Sequence, residues 1–271
     1  MVFIFPLIGI ILGALDMFIN PPYSAGFFPG FVIYSIEYTL IAAIIYVTFL
    51  VIVAAVVDLD KPNEKFSDFY NNVAIFTLKI ALSACNVKTV IEGEEKIPKE
   101  PFLLIQNHKA MFDPIVTLTL LGKYRLGFIT KPENFNLPII NKLMHRVCCI
   151  AIDRENPRNA VKSINGAAEN IKNGVCSMVI YPEGTRARDR EMLDFHAGSF
   201  KIATKSGAPI VVTTIDNTNL VHRNAPFKKT VITLRVCGVI PAEEVLASST
   251  AELSAKSRKM MCESLSVPYE E

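Results

Sequence analysis

No lysine, arginine or histidine occurs in residues 1–60 of this 271-residue chain. The only charges there are the acids Asp16, Glu37, Asp58 and Asp60. All 28 basic residues and 22 of the 26 acidic ones lie from Lys61 onward, a balance of +6 for that part. The missing N-terminal cations argue against a cleaved secretory signal, which needs a positive n-region. Charge is sparse throughout, 20% of residues against 51% hydrophobic, with mean hydropathy +0.33. Such a chain is not disordered in the main, and it is apolar for a purely soluble enzyme. A cation-free apolar first fifth before a basic body suggests a membrane anchor and a body drawn to an anionic surface.

Other absences narrow the chemistry. The six cysteines, at 85, 148, 149, 176, 237 and 262, form no CxxC pair and no Cys/His cluster with zinc spacing. In a cytoplasmic body they read as reduced thiols, and those at 148, 149 and 176 fall in apolar runs that suit buried structural positions. There is no GxSxG elbow, no Walker loop and no GxGxxG after a strand. No internal repeat or low-complexity segment appears.

Two long apolar stretches fill the start of the chain. Residues 1–19 carry only Asp16, and residues 31–57 carry only Glu37. As a helix, the second would be about 40 Å long, enough to cross a hydrocarbon core with tilt. Between them, NPPYSAGFFPG has the Pro, Gly and aromatic content of a helix stop at a membrane interface. The pair predicts an apolar helical hairpin over residues 1–60, with two placements open: both arms span, or the hairpin dips into one leaflet. The basic flank from Lys61 places the body, residues 61–271, on the cytoplasmic face of the cell membrane in either case. Residues 66–84 predict an amphipathic helix, either core-facing or lying along the bilayer.

From Val87 the pattern alternates. Apolar runs at 87–93, 102–106, 126–130, 148–152, 175–181, 209–215 and 230–238 are separated by helical candidates at 113–123, 133–146, 157–173 and 198–206. Such alternation predicts an α/β fold: a mixed, mainly parallel sheet covered by helices, with ligands at the loops that follow the strands.

The chemistry-bearing residues cluster at those loops. His108 leaves the run 102–106 in the segment NHKAMFD, with Asp113 five positions on and Pro114 after it. On a straight helix the two would be about 140° apart. A turn brings them together, and Asp113 can then orient His108 as a base. Read alone, His108 could equally be a satisfied loop histidine and Asp113 a helix cap. After the run 175–181 comes YPEGTR: Gly184 permits a tight turn, Thr185 offers a hydroxyl, Arg186 a planar fork for phosphate, and Glu183 a partner for that arginine or for a substrate hydroxyl. Lys131 and Arg154 each lie just past another apolar run.

NHKAMFD has the NHxxxxD form, and YPEGTR the PEGTR form, of the glycerolipid acyltransferases, about 75 residues apart. The chain resembles that family over about residues 85–220, most closely its 1-acyl-glycerol-3-phosphate (lysophosphatidic acid) members. The segment 131–154, with Lys131, Glu133, Pro138 and the closing Asp153-Arg154, is similar to the family's middle block, and 209–218 to its last. Asn134, Asn141, Cys148 and Val212 depart from the residues common at their places.

The resemblance implies transfer of a fatty acyl group to the sn-2 hydroxyl of lysophosphatidic acid, with acyl-CoA or an acyl carrier protein thioester as donor. His108 would be the general base, oriented by Asp113. Lys131, Arg154, Glu183, Gly184, Thr185 and Arg186 would bind substrate. No cofactor or metal is expected, and the partners are the lipid substrates and the bilayer, with no nucleic acid. Open alternatives are another acceptor, such as glycerol 3-phosphate or a different lysophospholipid, or a non-catalytic membrane-anchored lipid-binding protein.

Overall fold

A computed structural model describes residues 1, 3–20, 27–61, 63, 65–153, 156–187 and 192–269. The chain opens with two apolar helices, α1 (Ile4–Ile19) and α2 (Phe27–Ala55). α2 begins four residues earlier than the apolar run suggests, because Pro29 sits in the first turn, where its missing N–H costs no helical bond. The connector between the arms, residues 21–26, lies outside the described residues. The arms meet closely at Gly9 and Gly13. A Cβ on Gly9 would fall 2.3 Å from the Ser35 carbonyl oxygen, and one on Gly13 would fall 2.8 Å from the Ser35 amide nitrogen. The hairpin needs glycine at both positions for its helices to approach.

α3 (Asp68–Ala84) lies between the hairpin and the body. Tyr70, Asn71, Ala74 and Leu82 are buried. On the hairpin side, the Tyr46 and Thr77 hydroxyls are 2.7 Å apart, the Tyr46 and Phe76 rings meet edge to face, and the Tyr70 hydroxyl donates to the Val53 carbonyl. Contacts on two sides explain why its apolar stripe is broad, and they favour the core-facing alternative.

The body follows as β1 (Val87–Glu92), β2 (Leu103–Gln106), α4 (Asp113–Leu121), β3 (Leu126–Thr130), α5 (Ile140–Arg146), β4 (Ile150–Ala151), α6 (Pro157–Lys172), β5 (Ser177–Ile180), α7 (Lys201–Ser206), β6 (Ile210–Asp216), α8 (Val221–Asn224), β7 (Thr230–Ile240), α9 (Ala242–Ala247) and α10 (Thr250–Leu265). The strands form one sheet in the order β1-β7-β6-β2-β5-β3-β4. Every pairing is parallel except β6 with β7, whose register shifts between Val212 and Thr213. The expected α/β class, a mixed and mainly parallel sheet behind apolar N-terminal helices, is the observed one.

Each of the seven apolar runs contains a strand, because both faces of the sheet are covered. Leu103, Ile105, Met178, Ile180, Ile210 and Val212 pack on one side with Ala167 and Ile171 of α6, Ile202 of α7 and Met261 of α10. Leu104, Val179, Val211 and Leu234 pack on the other side with Leu118 and Leu121 of α4 and Ala74 of α3. Successive residues point to opposite faces, so burial on both leaves no polar alternation.

The helix expected over 133–146 is two pieces. A 3-10 turn covers 132–136 and α5 starts at Ile140. Pro138 holds the preceding Leu137 extended and ends the first piece. α10 was not anticipated. It starts at a capping box in which Ser249 Oγ accepts from the Glu252 N–H and the Glu252 carboxylate accepts from the Ser249 N–H.

Candidate active site

The sheet order places the informative loops side by side. Because β6, β2, β5, β3 and β4 are parallel neighbours, their C-terminal ends form one rim. His108 follows β2, the turn 181–187 follows β5, Lys131 follows β3, Asp153 follows β4 and Thr218 follows β6. Strands are spaced at about 4.8 Å, so the ends of β5 and β3 lie about 5 and 10 Å from that of β2.

His108 and Asp113 meet. The chain turns between β2 and α4, and His108 Nδ1 lies 2.7 Å from Asp113 Oδ2. The same oxygen accepts the backbone N–H of Lys109 at 2.7 Å and of Ala110 at 2.9 Å, and Oδ1 accepts the Thr218 hydroxyl. Asp113 is fully buried. An acceptor-only carboxylate requires the proton on Nδ1, which leaves the lone pair on Nε2. The Tyr181 ring stacks on the imidazole, centroids 4.3 Å apart and planes 23° from parallel, and holds its orientation.

The backbone of His108 is fixed as firmly as its ring. Its N–H donates to Glu183 Oε1 at 2.7 Å, and its carbonyl accepts the Ala187 N–H at 2.7 Å. Glu183 is 3% exposed, and its other oxygen accepts the Leu193 N–H at 2.9 Å. Burial pushes the Glu183 carboxyl up to about 7, although the two N–H bonds favour the charged form. The structure therefore engages Glu183 with backbone amides rather than with Arg186. Gly184, at φ +73°, makes the turn that brings Glu183 inward.

The expected cations are placed differently from the dyad. Lys131, Thr185 and Arg186 are exposed, and neither Lys131 nor Arg186 makes an ion pair with a described residue. Arg154 lies outside the described residues.

Five contributors were not singled out from the sequence. Asn107 is buried and pairs both ways with the Ile215 peptide, accepting its N–H at 2.7 Å and donating to its carbonyl at 3.0 Å. Thr218 and Tyr181 hold the dyad as described. Lys109 Nζ sits 2.9 Å from Asp216 Oδ1 at the end of β6. Burial raises the Asp216 carboxyl, but the adjacent Lys109 outweighs it and the net shift is downward. Asn107, Lys109 and Tyr181 lie within the quoted segments NHKAMFD and YPEGTR, which was the available signal. Thr218 and Asp216 had none until the strand order made β6 a neighbour of β2.

Fold and site together define an α/β protein with a carboxylate-bonded histidine at its strand ends. Residues 88–216 match the family model described as Acyltransferase, and the domain they form is an acyltransferase-family domain. A probable 1-acyl-sn-glycerol-3-phosphate acyltransferase of Mycoplasma pneumoniae is 33% identical over 158 residues, 57% of each chain. The chloroplastic 1-acyl-sn-glycerol-3-phosphate acyltransferase BAT2 of Brassica napus is 34% identical over 133 residues, 48% of this chain and 38% of that one. The matched stretch is thus about half the length of these curated relatives. The crystal structure of the 1-acyl-sn-glycerophosphate (LPA) acyltransferase PlsC from Thermotoga maritima shares the fold, with TM-score 0.59 and 24% identity over 84% of this chain and 91% of that one.

Proposed function

We propose that this chain transfers a fatty acyl group from an acyl thioester, acyl-CoA or acyl carrier protein, to the sn-2 hydroxyl of lysophosphatidic acid, yielding phosphatidic acid. The observation that carries the reading is the 2.7 Å contact between His108 and Asp113 on a rim that also presents the exposed cations Lys131 and Arg186. A thioester is already activated, so no acyl-enzyme is needed. Nε2 of His108 takes the hydroxyl proton as the oxygen attacks the thioester carbonyl. The tetrahedral intermediate collapses, the C–S bond breaks, and the imidazolium returns the proton to the departing thiolate. Asp113 stabilises the imidazolium in between. Arg186, Arg154 and Lys131 hold the acceptor phosphate, with Thr185 and the Gly184 turn beside it. Glu183 acts as a positioning residue through the His108 amide.

The helical hairpin is the anchor in this reading. The segment Phe28–Ala55 has 28 residues at mean hydropathy 2.5, long and apolar enough to cross a membrane by length and composition. α1 has 16 residues, about 24 Å against a hydrocarbon core of about 30 Å, which favours a hairpin that dips into one leaflet. The +6 body then sits on the cytoplasmic surface.

Thiol release from acyl-CoA or acyl carrier protein, with and without lysophosphatidic acid, tests the reaction. Release that depends on the acceptor is expected. Release without it would indicate a hydrolase, and no release in either case a lipid-binding protein. For the anchor, high salt is expected to leave the intact chain with membranes and detergent to free it, because apolar burial is not screened by salt and surface charge attraction is. Removal by salt alone would overturn the anchor.

A further inference from the structure

The first cations of the chain appear where α2 ends, and they do not stand alone. A cavity of about 280 Å³ opens there, lined by Val56, Val57, Asp58, Lys61, Tyr70, His145 and Arg146. Its apolar wall, which includes the exposed Val56, adjoins the end of α2, where Val51 and Ile52 are exposed. Its polar wall is shared between Asp58 and Lys61 after α2 and His145 and Arg146 of α5. The Arg146 guanidinium lies 5.3 Å from the centre of the Tyr70 ring and makes no ion pair with a described residue. Lys142 Nζ donates to the Val57 carbonyl at 2.6 Å, closing the end of α2 with a positive charge. Lys61 faces the single acid, Asp58, at 3.4 Å. Burial, helped by the nearby Arg146 and Lys142, lowers the basicity of His145 against the opposing bond to the Lys61 backbone and the Asp58 charge. Lys61 and Arg146 against Asp58 leave the described lining a balance of +1, with Lys142 a further cation held at the Val57 carbonyl.

We propose that this cavity is a second lipid site, separate from the rim that carries His108, and that it takes the phosphate of an anionic bilayer phospholipid whose acyl chains lie along α2. The inference rests on the reading of α2 as a membrane helix. Two features select a lipid over a free anion. The wall is half apolar, and the exposed face of α2 leads directly out of it. The positive balance selects an anionic headgroup over a zwitterionic one. α5 belongs to the β3–β4 connection, the segment that begins with Lys131 at the rim. A lipid bound here would hold that connection against the surface from which the acceptor is drawn.

The test is calorimetric titration of the full chain in neutral detergent with dioctanoyl phosphatidylglycerol, dioctanoyl phosphatidylcholine and inorganic phosphate. Saturable binding of the phosphatidylglycerol is expected, with weaker binding of the other two. Arg146→Gln should weaken it roughly tenfold, the scale of one charge-assisted bond. Lys61→Glu should weaken it by a similar factor, and this side chain is 79% exposed, so the change removes no packing. Arg186→Ala should leave this binding unchanged. Binding lost in Arg186→Ala but kept in Lys61→Glu would place the lipid at the rim and overturn the proposal. Equal binding of free phosphate, equal binding of phosphatidylcholine, or no saturable binding would also overturn it. Failure here is distinguishable from failure of the anchor, because the salt and detergent fractionation is independent of this titration.

Discussion

The hydroxyl of Thr218 donates to the buried Asp113 carboxylate from 105 positions further along the chain. That bond joins the end of β6 to the start of α4 and occupies the oxygen that His108 does not use. The orientation of the His108 ring therefore depends on a residue that follows β6, a strand distant in sequence from the motif. Thr218→Val keeps the shape and removes the donor. It should cost about 1–3 kcal/mol of stability by leaving Asp113 Oδ1 unsatisfied, and lower kcat with little change in KM. Denaturation midpoints and steady-state kinetics check both; unchanged kcat would make Thr218 purely structural.

His108→Ala should lower turnover by roughly 10²–10⁴-fold, the range for a lost general base, while acceptor affinity changes much less. Asp113→Asn should also depress turnover, because the amide can present an N–H to Nδ1 and reverse the tautomer. Acyl-transfer rates on protein shown to be folded by circular dichroism decide the matter. Near-normal turnover in His108→Ala would remove the proposed mechanism.

Glu183 gives a pH signature. Its folded value of about 7 lies above its ordinary value of 4.5. The folded state therefore holds this proton more tightly than the unfolded state. The contribution to stability is complete below about pH 4.5 and is lost as pH rises through 7, on the order of 3 kcal/mol across that window. Glu183→Gln cannot titrate and sets an amide N–H₂ against one of the two backbone donors. It should be less stable at low pH than the parent, with a shallower fall toward pH 8. Urea unfolding at pH 4.5, 6 and 8 reads the difference, and parallel slopes would show that Glu183 does not titrate there.

Arg186→Ala should weaken use of lysophosphatidic acid by roughly tenfold or more, the scale of a charge-assisted bond to phosphate. A neutral acceptor such as a monoacylglycerol should be affected much less. Equal losses on the two acceptors would assign the arginine a structural role.

Much of this architecture is legible in the sequence for a local reason. Strands buried on both faces are written as short apolar runs, so β1 to β7 can be found without knowing how they pair. His108 and Asp113 could be joined because only five positions and one turn separate them. Strand order has no such local record. It decides that Thr218 faces Asp113, that Asp216 faces Lys109, and that Glu183 reaches the His108 amide rather than its neighbour Arg186. The divided α5 segment was within reach through Pro138, but the helical periodicity on either side masks it. α10 was announced by Ser249 and Glu252, three positions apart, in a stretch too polar to read as core.

Asn107 has a consequence of its own. Its side-chain amide exchanges two hydrogen bonds with the Ile215 peptide, as a neighbouring strand residue would. The β2–β6 ladder thus gains one counterfeit rung after the true backbone pairing ends at Gln106 and Thr213. The main chain is freed to turn at that residue while the sheet's grip persists through the side chain. His108 is consequently mounted one residue from the paired, fully buried centre of the sheet. The imidazole is thereby held in place from the backbone side by a side chain, as it is held from the ring side by Asp113 and Tyr181.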